Sequence, residues 1–215
     1  IICVSQYQRS FLRRKKRVHI VPNALQESFT ARLAPDSERA FENRRVLMLG
    51  SLKEYKGTRE FIALASRMNK YKFELVINDS QENIDRYLEE RSIVPTSNLM
   101  IYPRQEDVTP FYNRASLILN LTNKKYAIET FGLTALEAMT AGLPVIVPTV
   151  GGIAEMVTDG ENGYKIDTQD CEKIEQCVEN ILRNKDFFVN LSRNALAKSR
   201  LYDAVRMVDN IAVVL

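Results

Sequence analysis

From Arg45 onward, short apolar runs alternate with stretches whose apolar positions recur at helical spacing. The runs 46–49, 73–77, 99–101, 117–119, 145–147 and 164–166 are almost wholly apolar, which predicts strands buried on both faces. Between and after them, 58–69, 83–91, 107–114, 132–141, 171–183 and 186–199 predict helices, with a short turn at 153–157. This alternation predicts an α/β fold built on a doubly wound parallel sheet with right-handed crossovers. Ligand sites in such sheets lie beyond the carboxyl ends of the strands.

The first 44 residues read differently. A helical segment at 6–17 ends in the basic run Arg13-Arg14-Lys15-Lys16-Arg17, a strand is predicted at 18–21, Pro22-Asn23 breaks the pattern, and 31–43 reads as a polar connector. The opening run Ile1-Ile2-Cys3-Val4-Ser5 is apolar and strand-like with no preceding turn, so a piece of a longer protein is expected. Composition adds little: 45% hydrophobic and 27% charged residues suit a soluble globular chain, and a net charge of +3 points to no particular polyanion. No apolar run approaches the roughly 20 residues that span a bilayer. Cys3, Cys171 and Cys177 are odd in number and lack metal-ligand spacing, so neither a disulfide framework nor a zinc site is expected, and a reducing cytosol fits. The single histidine, His19, lies inside a strand-like run and reads as structural.

The most chemical stretch runs from Glu129 to Pro144. Two carboxylates, Glu129 and Glu137, bracket Gly132 at the start of an almost wholly apolar helix that Gly142 and Pro144 close. Thr134, Glu137 and Thr140 are its only polar side chains, and at 100° per residue they fall within about 60° of Glu137 as one stripe. A carboxylate in such a setting needs a partner, for which a ligand hydroxyl is suited. An ordinary exposed helix carboxylate is the alternative. Glu129 precedes the helix, near the free N–H groups of its first turn, and Gly132 permits a ligand to approach them.

Two further turns follow predicted strands. In Gly50-Ser51-Leu52-Lys53-Glu54-Tyr55-Lys56-Gly57-Thr58, Thr58 is placed to cap the next helix and Lys56 to meet a phosphate; a solvated loop is the alternative. Val150-Gly151-Gly152, ahead of Glu155, reads equally as a ligand approach or a structural turn, and 159–163 as a tight turn.

Taken together, these pieces resemble the C-terminal half of the family-4 retaining glycosyltransferases with the two-domain GT-B fold. The resemblance rests on Val21-Pro22-Asn23, Gly50-x-Leu52, Lys56-Gly57, Glu129-x7-Glu137 with Phe131-Gly132 between, Gly142-x-Pro144-Val145-Ile146, and Gly151-Gly152 with Glu155. It implies a Rossmann-like nucleotide-sugar-binding domain at 45–201, with 1–17 as the end of an acceptor-binding domain, 18–44 as interdomain connector, and 202–215 as a helix returning to that domain. It also implies transfer of a sugar from a nucleotide-diphosphate donor to a carbohydrate or lipid-linked acceptor, with retention of configuration. Glu137 would bind ribose hydroxyls and Glu129 hydroxyls of the transferred sugar. Lys56 would bind the diphosphate, aided by N–H groups at Phe131, Gly132 and Leu133. Gly50 and Ser51 would line the donor site, and Arg104, in Tyr102-Pro103-Arg104-Gln105-Glu106, would lie where the base is contacted.

The chemistry is consistent with that list. Cleaving the sugar–diphosphate bond builds negative charge on the leaving phosphate, which a fixed cation and N–H dipoles stabilise. No metal or cofactor is then required, the nucleotide sugar being substrate. A glycosidase would place its two carboxylates across one bond, roughly 5–10 Å apart; a loop glutamate and a mid-helix glutamate do not suggest that. Ser51 departs from the family, which commonly has arginine after the glycine, and serine lacks the charged fork. Lys53, Arg59, Lys124 or Lys125 could substitute, and a noncatalytic nucleotide-sugar-binding protein is the alternative function. The loop Lys124-Lys125-Tyr126 reads as solvated, with phosphate or acceptor contact as the alternative. The basic run at 13–17 reads as a solvated helix end, with peripheral contact to acidic lipid as its alternative; no nucleic-acid partner is implied. A cytoplasmic location is expected. The chain alone is expected to bind donor without transferring its sugar.

Overall fold

The computed structural model describes residues 1–13 and 16–214. A small parallel ribbon pairs β1 (Ile2–Cys3) with β2 (His19–Ile20), and α1 (Gln6–Ser10) lies between them. After α2 (Glu27–Thr30) and α3 (Ser37–Asn43) the regular alternation begins. It runs β3 (Arg45–Gly50), α4 (Thr58–Arg67), β4 (Lys72–Ile77), α5 (Gln81–Glu90), β5 (Leu99–Tyr102), α6 (Thr109–Arg114) and β6 (Leu117–Leu119). It then continues α7 (Leu133–Thr140), β7 (Val145–Val147), α8 (Gly152–Glu155) and β8 (Gly163–Lys165). Three helices complete the chain: α9 (Cys171–Arg183), α10 (Lys185–Ser199) and α11 (Ala204–Ala212).

The six strands β3 to β8 form one sheet in the order β5-β4-β3-β6-β7-β8, with every neighbouring pair parallel. The predicted doubly wound sheet is therefore present, and its apolar strands are covered on both faces: Val46, Leu47, Phe73, Leu117, Val145 and Val147 have no exposed surface. The strand order reverses between β3 and β6, the position where such sheets open a crevice at their carboxyl ends. Among the described residues, no helix is long and apolar enough to cross a membrane.

Three local expectations are corrected. The first helix stops at Ser10 instead of reaching residue 17. It buries none of its own residues, and its continuation would stack like charges at helical spacing. Of the basic run, Arg14 and Lys15 lie outside the described residues. The stretch read as a polar connector contains α3, whose Asp36 cap accepts from Arg39 N–H and whose Ala40 and Phe41 are buried. Phe41 meets Phe188 of α10 at 5.5 Å between ring centroids, so this helix joins the core through one face. Finally, Gly57 is the cap of α4, and Thr58 is the first helical residue. The Thr58 hydroxyl instead donates to the Ser51 carbonyl at 2.9 Å, tying down the loop after β3.

Candidate functional site

At the strand-order reversal lies a cleft of about 920 Å³. The loop after β3 supplies one wall, including Gly50, Ser51, Lys53 and Lys56; the segment from Glu129 to Thr134, entering α7, supplies the other. Asn120, Leu121 and Thr122 after β6 form its base, and Asn78 and Asp79 after β4 extend it.

Lys56 and Glu129, 73 residues apart, meet across this cleft with Nζ 2.5 Å from Oε1. The Thr122 hydroxyl donates to the same oxygen at 3.1 Å. Both charged side chains keep contact with solvent, at 30% and 23% exposure, so they are compensated yet reachable. Lys56 and Lys53 also lie 5.6 and 5.9 Å from the Tyr55 ring centroid, so Tyr55 carries two cations at the cleft edge.

The second wall depends on close backbone packing. Gly132, the cap of α7, has φ of 95°, and a Cβ there would fall 2.5 Å from Ile153. Its carbonyl accepts from Ala135 and Leu136 N–H, while the N–H groups of Leu133 and Thr134 open the helix without intrahelical acceptors. They therefore point a partial positive charge toward the cleft. The Gly151-Gly152 pair serves packing: a Cβ on Gly152 would lie 1.8 Å from the Thr130 carbonyl, and one on Gly151 2.5 Å from the Glu129 carbonyl. Glu155 is engaged elsewhere, accepting from Gln6 and Tyr7 N–H at 3.0 and 2.5 Å at the start of α1.

Of the sequence-derived candidates, Gly50, Ser51, Lys56, Glu129, Phe131, Gly132 and Leu133 line one cleft. Arg104 and Glu137 stand outside its lining. Arg104 braces the cleft wall, its Nε donating to Asn78 Oδ1 at 2.8 Å and its backbone N–H to the Asp79 carbonyl at 2.9 Å. Glu137 lies three residues beyond the cleft-lining Thr134, on the same face of α7 and one turn deeper. Its partner within the protein is Tyr112, whose hydroxyl donates to Oε2 at 2.5 Å. Burial raises the Glu137 carboxyl above the ordinary carboxylate range, with the Tyr112 hydrogen bond acting in the opposite direction. Thr140 turns away, donating to the Leu136 carbonyl.

Among the described residues the buried Ser51 hydroxyl has no hydrogen-bond partner, and it supplies no charge. Among the four cations offered in its stead, Lys53 lines the cleft, whereas Arg59, Lys124 and Lys125 do not. Lys124 is held by Asp167 at 3.0 Å and Thr149 at 3.1 Å. Sequence reading passed over Asn78, Asp79, Thr122 and Tyr112. The first three lie within three residues of a strand's carboxyl end, a signal available in the sequence; nothing in the sequence paired Tyr112 with Glu137.

Residues 31–198 match the family described as glycosyl transferases group 1. A D-inositol 3-phosphate glycosyltransferase from Nocardioides is 36% identical over 74 residues, 34% of this chain and 16% of its own length. Mannosylfructose-phosphate synthase from Agrobacterium fabrum is 27% identical over 209 residues, covering 87% of this chain and 44% of its own. The chain thus spans under half the length of these curated relatives. Among solved structures, HepE from Anabaena, in complex with UDP and glucose, superimposes with a TM-score of 0.80 at 20% identity, covering 99% of this chain and 61% of HepE. Sucrose-phosphate synthase from Thermosynechococcus elongatus gives 0.81 at 20% identity, covering 99% of this chain and 56% of the synthase. At these identities the structural likeness is one of fold. The chain belongs to the glycosyl transferases group 1 family, and its six-stranded parallel sheet has the GT-B glycosyltransferase fold.

Proposed function

We propose that this chain supplies the donor site of a glycosyltransferase that moves a sugar from a nucleoside-diphosphate carrier to a carbohydrate or lipid-linked acceptor, with retention at the anomeric carbon. The observation that carries the reading is the Lys56–Glu129 pair facing the start of α7 at the reversal of the sheet. Without donor, each charge compensates the other. On binding, the diphosphate takes the ammonium and the helix N–H groups, while sugar hydroxyls take the carboxylate. No charge is then left buried and alone. As the sugar–oxygen bond lengthens, charge accumulates on the β-phosphate, where Lys56 and the N–H groups of Leu133 and Thr134 are already oriented. That positive potential requires no metal. HepE, whose crystal structure holds UDP and glucose, supports a nucleotide-sugar ligand for this fold.

The test is a thermal-shift and calorimetric series with UDP, GDP, ADP and TDP sugars, followed by transfer assays on the intact protein with and without EDTA. A ligand that binds only the native state raises its stability. Binding of none of the four would end the proposal. Abolition of transfer by EDTA, with rescue by a divalent cation, would replace its electrostatics with metal catalysis. A second reading, binding without turnover, is favoured by the uncharged, unpartnered Ser51 hydroxyl. Donor binding with no transfer by the intact protein to any acceptor would establish it.

A further inference from the structure

Tyr112 lies outside the cleft, has 1% of its surface exposed, and directs its hydroxyl at the only carboxylate on α7. A buried tyrosine hydroxyl requires an acceptor, and it finds Glu137 Oε2 at 2.5 Å. The ring is itself fixed, packed edge-on against Phe29 at 6.0 Å with 84° between planes. The carboxylate is thereby anchored through one oxygen by a donor whose ring is buried in the core. Among the described residues, Oε1 receives no hydrogen bond from the protein. A glutamate anchored through one oxygen has lost most of its rotamer freedom before any ligand arrives, so the other oxygen can accept from a ligand at little further entropic cost.

We propose that Tyr112 is the positioning residue for the ribose contact, fixing Glu137 so that its second carboxylate oxygen receives the ribose hydroxyls of the donor nucleotide. This rests on the donor-site reading above. No bond is made or broken in this role; Tyr112 acts only through Glu137. It predicts that losing the tyrosine hydroxyl is felt specifically as lost discrimination for ribose hydroxyls, because the phosphate-facing groups belong to different elements, the loop after β3 and the start of α7.

The experiment titrates the protein with UDP, GDP and ADP, with the 2′,3′-dideoxy form of each, and with inorganic pyrophosphate. For the nucleotide that binds best, the unmodified protein should prefer the ribonucleotide by on the order of tenfold or more, as for hydrogen bonds to a charged acceptor. Tyr112→Phe should lower that ratio by at least about threefold and leave pyrophosphate affinity unchanged, an outcome that general loosening of the fold would not produce. An unchanged ratio in Tyr112→Phe, against a large one in the parent, overturns the positioning role while leaving the ribose contact standing. A ratio near one in the parent removes the ribose contact itself, and binding of none of the nucleotides removes the donor site. If the phenylalanine variant melts too low to titrate, 3-fluorotyrosine at position 112 replaces it, keeping ring and hydroxyl while altering the strength of donation. A shifted ratio then supports the assignment, and an unshifted one overturns it.

Discussion

Glu74 and Glu129 are both carboxylates paired to cations at the sheet, yet the structure treats them in opposite ways. Glu74 is 1% exposed in the middle of β4, and its oxygens are fully used. Arg45 Nη1 donates at 2.6 Å, Arg114 Nε at 3.1 and 3.0 Å to the two oxygens, and Tyr102 OH at 3.2 Å. Arg45 begins β3 and Arg114 ends α6, so this network lies toward the amino ends of the strands, away from the cleft. Glu129 keeps solvent contact, and among the described residues its side-chain hydrogen bonds converge on Oε1 alone, from Lys56 and Thr122. A closed network of charge-assisted bonds leaves nothing for a ligand to take, so it serves the fold. An open one leaves acceptor capacity where a substrate can reach it.

The sharpest way to break this comparison is Glu74→Ala. It should cost about 3 kcal/mol of stability, the low end for a broken buried pair because both guanidiniums keep an exposed edge. Denaturant unfolding measures this, and a loss under about 1 kcal/mol would mean that the closed network is not structural. Next in size, Lys56→Ala should lower sugar transfer by about a hundredfold, as removal of one fixed transition-state charge does. Its unfolding free energy should stay within about 1 kcal/mol of the parent, as for a pair whose members both keep contact with solvent. A stability loss rivalling that of Glu74→Ala would erase the distinction between the two sites. Glu137→Ala should weaken nucleotide binding by about 1–2 kcal/mol by calorimetry, and Glu137→Gln by less, since the amide oxygen still accepts. Equal losses in the two would indicate that the charge of the carboxylate, and not the acceptor geometry that the amide retains, carries the contact.

The smallest effect concerns pH. Burial raises the folded-state carboxyl of Glu137 above its unfolded value, so the native state holds this proton more tightly. Its contribution to stability is therefore complete below the ordinary carboxylate range and is lost as pH rises through the raised folded value. Unfolding measured across that window should show a downward slope that Glu137→Gln flattens. Matching slopes in the two proteins would assign the dependence to other groups.

How far the sequence carried differs between fold and site for physical reasons. Strands such as Val46–Leu47–Met48 announce themselves because burial on both faces demands apolar side chains at every position. α3 was hidden because only Ala40 and Phe41 face the core, too few to outweigh its charged remainder. At the site, Lys56 and Glu129 were legible through residue type and spacing. Their meeting across 73 residues follows from the sheet order, which spacing alone does not state. Tyr112 was illegible because its polar end faces another helix, a relation that residue identity does not carry. Arg104 was a candidate only through the resemblance, in the segment that contacts the base; β5 is an edge strand, and from there the guanidinium meets Asn78 of the cleft wall.

Gly152 sits between two segments at once. A side chain there would strike the Thr130 carbonyl on one side at 1.8 Å and Ser5 Cβ on the other at 2.8 Å, and Glu155 from the same turn clasps the backbone of Gln6 and Tyr7. The loop bearing Glu129 and the start of the chain are thus stacked as adjacent plates with no clearance between them. Because packed interiors yield little before they slip, a displacement of residues 5–7 toward the glycine would press on the carbonyl next to the cleft carboxylate. Whatever pulls on the beginning of this chain therefore has a short, stiff lever on Glu129.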